Sequence, residues 1–249
     1  MPINQTKVAE IFKFLQANHS WNEIFQKSEH KAAIGHCESS SARLVKLLSS
    51  TSNTQSAPNL TELAPFWRHI HNHNGDSLES LIYHLELNRA PKLRATSPWE
   101  RLFYALEAQP GWGAKTAALF VKTAIQIHRG PVTLHFWIDG QRLANAPICE
   151  NIYLPVDAVI IRIFEALDFE RRPTFLNINR YLHEAYSAED MLIWDDLWYW
   201  GFFTQMVREK VRHFEWNSDK FWCQASAPKS QESVVRALGE EFIQILMVH

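Results

Sequence analysis

The chain is predicted to be all-α: mainly helical, with about ten helices and little sheet. Three observations carry this. Apolar residues recur at i, i+3, i+4 and i+7 along most of the 249 residues. Ser, Asn or Asp followed three residues later by an acidic residue stands before many of these runs, as a helix start requires. One stretch alone, Val132 to Ile138, is rich in β-branched and aromatic residues.

In order, residues 3–17 carry Val8, Ile11, Phe12 and Leu15 at helical spacing, and Trp21 to Phe25 extend that packing. Ala42 to Leu48 reads as a short helix. Ser49 to Pro58 is rich in Ser, Thr, Asn and Gln and reads as a mobile loop. A helix begins near Asn59 with Glu62 as capping partner, and another near Asp76 with Glu79. Between them His69-Ile70-His71-Asn72-His73 has no acidic or cysteine ligand beside it, so it reads as a polar helix end and no metal site is expected. Asn88 to Thr96, with Lys92 and Arg94, is a basic connector. Ser97, Pro98 and Glu100 then open a helix to Ala108 bearing Trp99, Leu102, Phe103 and Leu106.

Pro110 stops that helix, and a second runs from about Ala114 to His128. Gly130-Pro131 ends it, and Asp139-Gly140 is a hairpin-turn signal, so a short β-ribbon is expected near 132–148. Ala158 to Leu167 is an apolar helix, and Phe175 to Tyr186 is helical. Ser187 with Asp190 caps a long helix through Trp194, Leu197, Trp198, Phe202 and Met206, and Glu232 to Val248 forms a final amphipathic helix. The expected organisation is an N-terminal helical region at 1–96 able to pack with the C-terminal helices, a core at 97–210 and an extension at 211–249.

Composition narrows the function classes. A formal charge of −2 gives no global nucleic-acid signature, so any DNA binding must come from a local basic face; Lys115, Lys122 and Arg129 on one helix are its start. The three cysteines, Cys37, Cys149 and Cys223, lie far apart without C-x-x-C, which disfavours a disulfide framework and a zinc ribbon and leaves too few ligands for a four-cysteine cluster. With no leader and no membrane span in view, a soluble intracellular protein, cytoplasmic or associated with nucleoid or nucleus, is expected.

The stretch richest in chemistry is Gln109-Pro110-Gly111-Trp112-Gly113-Ala114-Lys115-Thr116-Ala117. A Pro-Gly-x-Gly turn between two amphipathic helices frees backbone N–H groups at a helix N-terminus, a concave donor site for a phosphate. This element resembles the helix-hairpin-helix of the DNA glycosylase superfamily that includes endonuclease III and 8-oxoguanine DNA glycosylase, whose lyase-competent members carry a catalytic lysine where Lys115 stands. A second resemblance is Pro155-Val156-Asp157 at a helix start, 42 positions beyond Lys115 in the numbering, farther than in familiar members. A third is Trp200-Gly201-Phe202-Phe203-Thr204-Gln205, where Gln205 takes the place of the first cluster cysteine of endonuclease III.

The resemblance covers about residues 97 to 210. It implies a helix-hairpin-helix glycosylase fold without an iron–sulfur cluster or other cofactor, and a bifunctional DNA glycosylase with abasic-site lyase activity. Its partner would be double-stranded DNA carrying a modified base, with an oxidised purine such as 8-oxoguanine favoured, and the protein would act as a monomer. Lys115 is then the Schiff-base nucleophile and Asp157 the stabiliser of cationic character on the sugar. The backbone of Pro110, Gly111, Trp112, Gly113, Ala114 and Thr116 would grip DNA phosphates. Trp198, Phe202 and Phe203 could stack a flipped base or lie in the core. Alternatively, Asp157 is simply a helix cap, and the hairpin a non-catalytic DNA-binding module.

Overall fold

A computed structural model describes residues 4–54, 58–71, 75–93, 95–149, 151–169 and 172–247. The chain divides into two units, one of residues 1–28 with 156–249 and the other of residues 29–155. These divisions fall at 28/29 and 155/156, away from the borders at 96/97 and 210/211 drawn from the sequence.

Helix α1, Gln5–Ile34, is longer than its periodicity suggested and carries the first of these divisions. In the discontinuous unit its Val8, Ile11, Phe12, Phe14 and Leu15 are buried. Phe12 stacks on Trp194 (5.3 Å, 20°), and Phe14 meets Trp200 edge-on at 5.1 Å. The rest of this unit is α8 (Ala158–Ala166), α9 (Phe175–Ala185), α10 (Ala188–Trp194), α11 (Asp196–Phe203), α12 (Ser218–Cys223) and α13 (Glu232–Met247), with a ribbon of β1 (Gln205–Arg208) and β2 (Val211–Phe214). The Ser187–Asp190 capping box forms as expected. The long helix expected after it is instead two, α10 and α11, and Met206 lies on β1.

The second unit contains α2 (Ser40–Ser52), α3 (Leu60–Ile70), α4 (Leu78–Asn88), α5 (Pro98–Glu107), α6 (Ala114–Arg129), a 3-10 turn at Val132–Leu134 and α7 (Gly140–Asn145). Asn59 caps α3 by accepting from the Glu62 amide, while α4 is capped by Ser77 rather than Asp76. Helix α2 runs on to Ser52, into the expected loop, whose residues 55–57 lie outside the described ones. His73 and Arg94 also lie outside them. His69 and His84 stack at 3.9 Å, and each donates its Nε2–H to the other's carbonyl (2.7 and 3.0 Å), which fixes both tautomers. No group of three potential metal ligands occurs among the described residues.

The β-ribbon expected near 132–148 does not form. Those residues make the 3-10 turn and α7. Burial overrides strand propensity here: Leu134, Phe136 and Trp137 are needed in the core, where Phe136 and Trp137 pack against His128. Asp139 Oδ1 accepts from the Leu78 amide, and Gly140 lies so close to His128 that a Cβ would fall 2.4 Å from its Nδ1. The sheet among the described residues is the β1–β2 ribbon, closed by Glu209 and Lys210 at φ 49° and 66°. Among them no helix is long and apolar enough to cross a membrane.

His128 also gives the unit a pH dependence. Fully buried, it stacks on Trp137 at 5.3 Å and 7°; burial, with His135 adding like-charge repulsion, pushes its pKa down to about 3. An unfolded imidazole titrates near ~6.5, so between those values the unfolded chain binds the additional proton and stability falls as pH is lowered. The expected cost is about 1.4 kcal/mol per pH unit for such a histidine. Urea unfolding of His128→Phe between pH 6 and 4 should therefore show a shallower pH slope than wild type, and equal slopes would rule His128 out as a source.

Candidate functional site

The hairpin is assembled from inside unit 29–155. Gln109, 2 % exposed, donates from Nε2 to the carbonyls of Leu85 (3.1 Å) and Ala105 (2.7 Å) and accepts from Asn88. That side chain pins the end of α5 to the end of α4. Gly111 follows at φ +76°, where a Cβ would lie 2.7 Å from Leu63, so both conformation and space require glycine. The Trp112 amide closes the turn on the Gln109 carbonyl, and its indole packs between Phe66 and Phe120.

Gly113 is different. It is exposed, has an ordinary extended backbone (φ −127°, ψ 169°), and a Cβ there would meet nothing within 4 Å. It is the N-cap of α6, and being glycine it offers no side chain to the first-turn amides. With no side-chain cap among the described residues, this N-terminus suits an anion. Beside it opens a cleft of about 860 Å³ lined by Pro110, Gly111, Gly113 and Ala114 together with Arg89 and Lys92. Glu107 borders the same cleft, and burial raises its carboxyl pKa, offset in part by Lys92.

Lys115 is the second residue of α6, half-buried, with Nζ 3.4 Å from Thr54 Oγ1. The hairpin residues Pro110, Gly111, Trp112, Gly113, Ala114 and Thr116 are thus brought together with it. Two of them are corrected in kind: the side chains of Trp112 (7 % exposed) and Thr116 (3 %) are buried, and the Trp112 amide already donates to the Gln109 carbonyl. The basic face expected on α6 shrinks as well. Lys122 is 5 % exposed, and Arg129 donates Nε to the Ala144 carbonyl. Ser97 makes no side-chain cap bond, and the carboxylate of Glu100, its expected capping partner, accepts from Asn151 and Tyr153 instead.

Asp157 lies in the other unit. It is the N-cap of α8, its Oδ1 accepting from the amides of Val159 (2.8 Å) and Ile160 (3.1 Å). The Trp200-Gly201 segment holds that helix start. A Cβ on Gly201 would come within 2.6 Å of Val159 Cγ1, and Gln205 Nε2 donates to the Val159 carbonyl at 3.0 Å. Gln205, at the position that resembles a cluster ligand, is therefore a buried brace for the helix that Asp157 opens.

The three aromatics proposed to stack a base separate. Phe203 is corrected to a core residue: fully buried, it packs against Tyr199 and Phe221. Trp198 and Phe202 are half-buried and stack on each other at 4.9 Å and 18°. Lys220, unnoticed in the sequence, sits over the Phe202 ring at 4.7 Å and donates to the Phe202 and Gln205 carbonyls. Burial lowers its pKa, Arg212 lowers it further, and Asp157 opposes both. Its sole sequence signal was Asn217 three residues before it, an N-cap pattern.

No family model matches the chain, and no curated protein and no solved structure matches it significantly.

Proposed function

We propose that the protein is a DNA N-glycosylase with associated abasic-site lyase activity, acting on a modified base flipped from the duplex. The observation that carries this reading is the uncapped N-terminus of α6, presented by the Gly111–Gly113 turn with Lys115 in its first turn. Backbone amides at this point grip a strand phosphate and set register without reading sequence. Lys115, as the neutral amine, attacks C1′ of the sugar; the base leaves, a Schiff base forms, and β-elimination breaks the strand on its 3′ side. The attack needs the neutral amine, so the ammonium proton must be drawn off as the complex forms. Asp157 stabilises the cationic character that develops on the sugar, as carboxylates do in other glycosidic cleavages. An oxidised purine such as 8-oxoguanine is the favoured base class, on the resemblance of Pro155-Val156-Asp157.

Gly113→Asp tests the hairpin without disturbing the fold. An aspartate N-cap suits the backbone here and has room, so thermal stability should hold or rise. The carboxylate would occupy the first-turn amides and repel a phosphate. Duplex affinity should fall about 10- to 100-fold, the value of one charge-assisted hydrogen bond. A folded variant that binds duplex as wild type does would remove the hairpin from the reading.

A second reading is a non-catalytic DNA-binding module, favoured because the hairpin and its cleft lie entirely within residues 29–155. It predicts salt-dependent duplex binding with no base release from any lesion-bearing duplex. The glycosylase reading predicts release of at least one modified base from such a panel.

A further inference from the structure

The inward stripe of α1 changes character along its length. Val8, Ile11 and Leu15 are apolar and buried, and the same helical spacing then runs on through His19, Asn22 and Gln26. Asn22 and Gln26 are buried too, where an apolar side chain would cost less to bury. What they meet accounts for them: Asp195 and Asp196, both buried, at the start of α11. Each oxygen of Asp196 accepts from α1, Oδ2 from His19 Nδ1 at 2.8 Å and Oδ1 from Asn22 Nδ2 at 2.6 Å. Gln26 Nε2 donates to Asp195 Oδ2 at 2.9 Å.

Two adjacent carboxylates are thus held inside the discontinuous unit. Neutral donors satisfy their lone pairs but do not balance their charge, and a buried charge without a counter-charge is strongly destabilising. His19 supplies the counter-charge when both of its ring nitrogens are protonated. Its side chain is 37 % exposed against 1 % for Asp196, so the imidazole is where the cluster meets protons from solvent. Glu23, also on α1, adds a negative charge near His19 and is itself held by Lys27 at 2.9 Å. Tyr199, buried one turn further along α11, brings a neutral hydroxyl. Helix α10 ends on the apolar Trp194, and α8, α12 and α13 meet Gly201, Phe203 and Thr204, toward the far end of α11.

We propose that His19 and Asp196 form a pH-sensitive latch between α1 and the start of α11, closed while the imidazole is protonated and slackened as pH rises above neutrality. The residues it fastens are the last turns of α1 before the division at 28/29, so the latch governs how firmly this part of the helix is held to its own unit. Two upward shifts set the direction. The hydrogen bond from Asp196 holds the His19 pKa above its usual ~6.5, with burial opposing. Burial pushes the Asp196 pKa up to about 6, with His19 and Asn22 opposing. A group with a raised folded pKa stabilises below its unfolded value and loses that contribution as pH rises through the folded one, near pH 6 for Asp196 and above ~6.5 for His19. The sign is opposite to that of His128.

Amide hydrogen exchange of the full chain, followed by NMR at pH 6.5 and 8.5 and corrected for the intrinsic pH dependence, reads the latch. Protection of the amides of residues 19–28 should fall about tenfold between the two, the size of one proton's linkage over one pH unit. His19→Gln keeps a neutral donor and removes the charge, so protection in this stretch should be low and should change by less than about twofold. Asp196→Asn removes the buried charge that needs the proton, so protection should be high and equally flat. A flat wild-type response, or either variant keeping the tenfold fall, would overturn the latch and leave the cluster a buried polar pairing that fixes the register of α1 on α11. Neither DNA binding nor base release enters this measurement, so its outcome is independent of the glycosylase reading.

Discussion

Replacing Lys115 with glutamine should abolish the covalent adduct that borohydride traps between the protein and lesion-containing DNA, while duplex affinity stays within a few-fold of wild type. Both halves follow from the hairpin. The grip on phosphate comes from backbone amides at an uncapped helix start, which the side chain at 115 does not supply. The side chain supplies the amine, and glutamine cannot form a Schiff base. Among the described residues Lys115 makes one long polar contact, to Thr54, so its replacement has little to disturb in the fold. Gel analysis of trapped adducts beside a fluorescence-anisotropy titration measures both. An undiminished adduct would take Lys115 out of the chemistry, and a collapse of affinity would mean that the lysine, not the turn, binds DNA.

Asp157→Asn is the second large effect expected. Asparagine is as good an N-cap as aspartate, so the bonds to the Val159 and Ile160 amides persist and α8 stays in place. What is lost is the negative charge. A preorganised electrostatic contact to a charged transition state is worth roughly 10²–10³ in rate. Single-turnover base release should fall by that factor with DNA binding nearly intact. If release proceeds at the wild-type rate, Asp157 is a cap and nothing more.

Helix starts were the most legible part of the fold, because a cap is a local device: Asn59, Ser187 and Asp190 do what their side chains allow wherever the chain goes. The misreadings share a cause. Val132 to Ile138 has strand propensity, but Leu134, Phe136 and Trp137 are claimed by the core, and no local pattern announces that. Conversely, the β1–β2 ribbon was hidden, because the aromatic run before it continues a helical period and its Glu209-Lys210 turn lacks the Asn-Gly or Asp-Gly spelling that marks such turns.

The candidate site shows the same division. Gly111 and Pro110 declare a turn by composition, and the structure gives Gly111 a positive φ against Leu63. The uncapped state of α6 is a local property and follows from glycine at 113. By contrast, Trp112, Thr116 and Lys122 looked available and are buried, because helix α6 is covered on several sides by α2, α5 and α7. Lys220 comes to Phe202 from 18 residues away, past a ribbon and on a short helix, and a chain pattern does not carry such a meeting.

The central claim is that the amine of Lys115 attacks the sugar of a modified nucleotide. Borohydride trapping on a panel of duplexes bearing single oxidised bases or an abasic site, followed by proteolysis and mass mapping of the adduct, tests it at the level of one atom. The account predicts at least one duplex that yields an adduct, with the added mass on the peptide containing Lys115 and on Nζ of that residue. An adduct carried by another amine, Lys220 included, or no adduct across the panel, would contradict it.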